Sequence, residues 1–281
     1  METTDQKNSA IKNLFAGAVI LLAIGVSLAL YFFVMGDSSN FTGGDSVKGH
    51  PSNYLGIVYK GGLIVPVLMS FFLMVLTFSV ERFITINKAY GKGSIEKFLR
   101  DVKKSLSKND VQSAIDRSLD QKGSVGNVVY TVLNRYNEIW NEKDMSKDQK
   151  VAAVQQELEE STSLELPMLE KNLTIIATLA SVATLVGLLG TVIGMIKAFA
   201  SMGTASATDA SALANGISEA LINTALGIAT SAIAIMSYNS FTSKIDTLTY
   251  SIDEMGFSIS QSFKANYKAE KEKPSYKAEL V

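Results

Sequence analysis

Residues 172–238 set the terms for the whole chain: two long apolar stretches flank a short polar turn, and the second holds a carboxylate, Glu219. A run of about 20 apolar residues crosses the roughly 30 Å hydrocarbon core as a helix, because backbone polar groups in lipid must satisfy one another. Two phrases carry most of the signal: GLLGTVIG (187–194) and GISEALINTALG (216–227). Both interleave glycine, hydroxyl and apolar residues. That mixture suits helices packed closely around a wet pathway better than helices surrounded by lipid. The pair is read as lining or packing around an ion path in a membrane.

The remaining totals narrow the class by exclusion. Of 281 residues, 47% are hydrophobic and 19% charged, with a formal net charge of -1, which fits a membrane protein carrying a polar module. The chain has no cysteine, so disulfides and thiolate metal sites are excluded, and the single His50 removes most histidine-based sites. Near-neutral charge gives no reason to expect nucleic acid. No HExxH, no GxSxG with a histidine, no pair of intramembrane aspartates and no Walker A sequence appears. Neither an enzyme, a metal nor a cofactor is therefore expected, and ATP is not the expected energy source.

In chain order, a polar N-terminus (1–13) precedes a charge-free apolar run at 14–35. The rival, a cleaved signal peptide, is disfavoured by the length of that run and by the lack of a closing A-x-A site. A Gly-, Ser-, Asn- and Asp-rich loop fills 36–61, and a second span is expected at 62–86, with Pro66 in its first turns, where a missing N–H costs least. Residues 87–171 change character, with many lysines and arginines and two apolar stripes at helical spacing. One is Ile95, Phe98, Leu99, Val102 and Leu106; the other is Val128, Val132, Leu133, Tyr136 and Trp140. Ser146 is read as the N-cap of a further helix that Pro167 kinks rather than ends. A third span (172–200), a polar turn (201–212), a fourth span (213–240) and a tail (241–281), helical at first and then solvated, complete the chain. The expected fold is an all-α polytopic membrane protein with four transmembrane helices and a helical cytoplasmic module. Basic residues follow spans two and four, whereas the turn after span three carries only Asp209, so the positive-inside rule puts both termini and the module in the cytoplasm.

Within the paired spans, Gly187, Gly190 and Gly194 share one stripe, read chiefly as a close-packing seam. The Thr191 hydroxyl beside it bonds its own turn in the plainest reading. In the fourth span Asn215, Glu219, Asn223, Thr230 and Ser237 fall within an arc of about 80°. An ionisable group inside a span usually faces a cavity or a partner. Glu219 is thus read as handling protons or pairing charge, against a structural ion pair with Lys197 at similar depth. Thr224 lies off that face, at the level of Thr191 if the helices are antiparallel.

GLLGTVIGMIKAF and ISEALINTALG, followed by Tyr238 and Asn239, resemble the ExbB/TolQ/MotA proton-channel family, most closely its ExbB branch; Gly61, Gly62, Pro66, Glu81 and Arg82 match its first span more weakly. The resemblance covers roughly Gly61 to Tyr250. It implies that Thr191, Glu219 and Thr224 match the family's polar residues at the channel. The arc on the fourth span adds Asn223 and Thr230 as pathway candidates, and Gly187, Gly190, Gly194 and Gly227 are read as helix-packing positions. The resemblance also implies a homo-pentamer in lipid, enclosing a single-span ExbD-like partner that carries the protonatable aspartate. Proton flow across a bacterial inner membrane would then energise outer-membrane transport through a TonB-like protein. A TolQ-like subunit, a gliding-motor stator and a purely structural scaffold remain alternatives. Thr184 and Ile233 stand where the family often has proline, and span 14–35 is additional to its three-span members.

Overall fold

The computed structural model describes residues 2–46, 49–140, 142–204 and 210–271. The middle of the turn after the third span, with Asp209, and the tail from residue 272 lie outside them. Helices make up most of the described chain: α1 (Glu2–Ala29), α2 (Tyr54–Tyr59), α3 (Ile64–Ala89), α4 (Ile95–Ser107), α5 (Val111–Gln121), α6 (Gly123–Trp140), α7 (Lys147–Glu170), α8 (Leu173–Thr204) and α9 (Ala210–Lys271). Four stretches, Ala16–Met35, Ile64–Ala89, Lys147–Ser201 and Leu213–Tyr267, are long and apolar enough to cross a membrane. The protein is an all-α polytopic membrane protein. Two compact units divide it: residues 1–81 with 172–240, and residues 82–171 with 241–281.

In the first unit α1 ends in a π-helical turn, Leu30–Met35. Carbonyls at such an end need donors from elsewhere. The buried Asn40 amide supplies them, donating to the Val34 and Met35 carbonyls at 2.7 and 3.0 Å while accepting from Asn53 Nδ2 at 2.8 Å. Asn53 in turn caps α2. Tyr31 stacks on Tyr59 and donates to its carbonyl at 3.1 Å, with Phe41 edge-on to Tyr59. The segment read as a loop is therefore a folded cap with short helical turns and a small aromatic core. Burial lowers the pKa of Lys60, whose ammonium lies 5.6 Å from the Phe41 ring centre.

The second unit gathers the charged module and the far half of α9. On α4, Ser94 caps the helix and Ile95, Phe98, Leu99, Val102 and Leu106 are buried, as their spacing predicts. Asn109 takes a positive φ and Asp110 caps α5, which buries Ala114 and Ile115. Ser146 and Gln149 form a reciprocal capping box at the start of α7. That helix runs through Pro167 and ends at Glu170; the next turn of chain reverses at Asn172, φ 63°. Buried Arg82 donates to the Met168 and Leu169 carbonyls, both at 3.1 Å, satisfying acceptors that a helix end leaves open. Tyr90 donates to the Lys244 carbonyl at 3.2 Å, and burial pushes its phenol pKa up.

Along α9, Phe241, Ile245, Leu248, Ile252, Met255, Ile259 and Phe263 recur in steps of three or four and are all buried. Phe263 lies edge-on to Tyr136 and Trp140. Beside them Lys150, 1% exposed, donates to the Trp140 carbonyl at 2.9 Å and sits 5.1 Å from the Tyr267 ring centre. Lys150→Ala removes the donor, the cation–π contact and the packed stem together. The expected cost is about 2 kcal/mol, read as a lower unfolding midpoint, with Lys150→Arg recovering part of it.

Candidate functional site

The site is built on the α8–α9 seam, where small residues let two backbones approach. Gly187 lies against the Asn223 carbonyl and the Gly227 Cα, where a Cβ would stand 3.0 and 3.1 Å away. At Gly227 a Cβ would come within 2.6 Å of the Ala183 carbonyl oxygen, and at Gly194 within 2.8 Å of the Ala220 nitrogen and the Gly216 carbonyl oxygen. Gly190 lies beneath the Asn223 side chain. Rising numbers on α8 meet falling numbers on α9, so the two helices are antiparallel. Ser231 adds a hydrogen bond from its hydroxyl to the Ala180 carbonyl across the seam.

Because the helices run antiparallel at such close range, Thr191 and Thr224 meet, hydroxyl to hydroxyl. Thr191 Oγ1 is also 3.4 Å from the Gly187 carbonyl oxygen and 3.5 Å from that of Ala220. Thr224 Oγ1 lies 3.2 and 3.5 Å from the Ala220 and Gly187 oxygens. Four oxygens thus share two protons, leaving acceptor capacity for a water or an incoming donor. Both threonines are half-buried rather than sealed.

Five residues before Thr224, about 7.5 Å along the helix axis, Glu219 Oε1 accepts from Lys197 Nζ at 2.6 Å. The side chains differ in setting: Glu219 is 13% exposed and Lys197 56%. The carboxylate packs on Gly62, φ 78°, where a Cβ would lie 2.5 Å from Oε1. Glycine at 62 meets two demands at once, a left-handed backbone and room for the acid. Next to it, the Gly61 carbonyl accepts from Asn223 Nδ2 at 2.8 Å, and Asn223 Oδ1 is buried with no hydrogen-bond partner.

The structure therefore brings Thr191 to Thr224, and Lys197 to Glu219. It does not gather all five pathway candidates at one point: Asn223 is fully buried against Gly190 and tied to Gly61, while Thr230, 2% exposed, lies about 9 Å further along α9 than Thr224. The contribution of the Gly61–Gly62 turn was not legible as chemistry. Its only sequence signal is a glycine pair a few residues before Pro66.

Residues 120–254 match the model of the MotA/TolQ/ExbB proton channel family. The matched stretch includes α6, α7, α8 and the part of α9 that holds Glu219, Asn223, Thr224 and Thr230. No curated protein matches the chain.

Proposed function

We infer, from a chain whose residues 120–254 carry the MotA/TolQ/ExbB proton channel family match, that this is the ExbB-like wall of an ion-driven motor in a bacterial inner membrane. The family supports a proton-channel, stator-like role; the finer assignment is ours. The observation that carries it is the Thr191–Thr224 hydroxyl pair, held half-open between α8 and α9, with Glu219 about one and a half turns along α9. Hydroxyls with spare acceptor capacity relay a proton without taking a full charge. The chain thus acts as a polar wall. The group that loads and unloads the proton is an aspartate on a single-span ExbD-like partner, enclosed by five copies of this chain. Thr230 and Asn223 extend the polar face of α9, and Gly187, Gly190, Gly194 and Gly227 hold the seam.

On this reading both termini and the charged module are cytoplasmic, and the work done is passed through a TonB-like protein to outer-membrane transport. The same geometry serves a TolQ-like or gliding-type stator. Purifying the chain with the product of an adjacent single-span gene, and counting copies, tests the assembly; a monomer without a small partner overturns it. Glu219→Ala tests the channel. It is expected to lower proton-dependent uptake about tenfold or more with the complex intact, whereas unchanged uptake favours a structural scaffold.

A further inference from the structure

The second unit carries two faces of opposite sign that are not joined to each other among the described residues. At about 100° per residue, Lys97, Arg100 and Lys104 on α4 and Lys108 at its C-cap fall within an arc of about 80°, all exposed, while the opposite side of the helix is buried. Asp101, at one edge of that face, is held by Arg117 at 3.1 Å, and the exposed Glu96 flanks the other edge, about 40° beyond Arg100. On α7, Glu159, Glu160 and Glu170 are exposed within an arc of about 100°, and Leu164, 79% exposed, sits beside them. The Glu160 carboxylate accepts from Gln156 one turn back, at 2.8 Å.

Both faces run lengthwise beside α9 and at the same height. Lys103 binds Glu254 at 2.6 Å, and the Leu158 side chain packs on Gly256, two residues further along α9. At the far end, Asn266 donates to the Leu106 carbonyl at 3.3 Å, while Lys150 lies against the neighbouring Tyr267. Lys104 is therefore level with Glu159 and Glu160. We propose that the basic face of α4 docks on the acidic face of α7 in a second copy of the chain, with Leu164 as the apolar contact. A head-to-tail contact of this kind repeats around a ring. Nucleic acid or an anionic lipid surface would match only the basic face and be repelled by the acidic one; a second copy matches both and fixes the register.

The inference rests on the multi-copy reading above but not on proton flow. Because the chain is cysteine-free, two full-length forms with one cysteine each, Lys104→Cys and Glu160→Cys, report the contact directly. Co-expressed in one membrane and oxidised, they are expected to give a covalent dimer, with each form alone giving at least tenfold less. Lys97→Glu with Arg100→Glu should lower the yield about tenfold, and Glu159→Lys added in the other form should restore it. A multi-copy complex without the mixed crosslink overturns this contact alone. So does Lys104→Cys linking to itself or to a different protein. A monomer overturns both this contact and the motor reading.

Discussion

Thr224→Val is expected to cut proton flux through the reconstituted complex about tenfold or more while leaving its assembly unchanged. Valine keeps the β-branching and nearly the size of threonine, so the backbone spacing of α8 and α9 is preserved. What disappears is one oxygen and one proton from a four-oxygen cluster in which Thr191 and Thr224 touch. Thr191 is then left beside a methyl group, with its proton pinned on its own turn at the Gly187 carbonyl. Losing a hydrogen-bonding position inside a low-dielectric path costs about 1–3 kcal/mol, and about 1.4 kcal/mol is a factor of ten. Thr224→Ser keeps the hydroxyl and should retain most of the flux. The measurement is acidification of proteoliposomes under an imposed potential. Full flux in the valine form, or equal losses in valine and serine forms, would remove the hydroxyl pair from the path.

The two central phrases were informative in the sequence because each demand of a packed, polar seam leaves its own residue type. Glycines marked where backbones touch, and Thr191 and Thr224 fell at one level once the helices were taken as antiparallel. The same reasoning placed Lys197 near Glu219, and they pair at 2.6 Å. For Asn223 it gave the face but not the neighbours, because helical angle tells which side a residue takes and not what stands there. On that side Gly190 and the Gly61 carbonyl fill the space. In the outer segment, composition signalled a loop, while the order came from single side-chain bonds such as Asn40 to Val34, which leave no periodic trace. The stripe from Phe241 to Phe263 was legible in principle. Its steps of three and four continue directly from the last span, however, so an apolar surface meant for helices of the second unit merges with one meant for the membrane.

The sign of a glycine substitution on α9 depends on what its new methyl group meets, and that gives the sharpest test of the seam. In an isolated helix, Gly→Ala gains up to about 1 kcal/mol from propensity alone. At Gly227 the methyl would lie 2.6 Å from the Ala183 carbonyl oxygen and 2.9 Å from the Gly187 Cα, both backbone atoms of α8. Neither can rotate away, so the helices must part along their length, and overpacking of this kind costs about 1–3 kcal/mol. Parting them also separates Thr191 from Thr224, since one seam sets both distances. At Gly256, on the same helix, the methyl would meet only the branched end of Leu158, which has other rotamers available. Gly227→Ala is therefore expected to lower the unfolding midpoint of the detergent-solubilised complex and to reduce proton flux. Gly256→Ala should leave the midpoint level or raise it slightly. If the two alanines behave alike, close backbone approach is not what holds α8 to α9, and the threonine contact has to be maintained from elsewhere in the assembly.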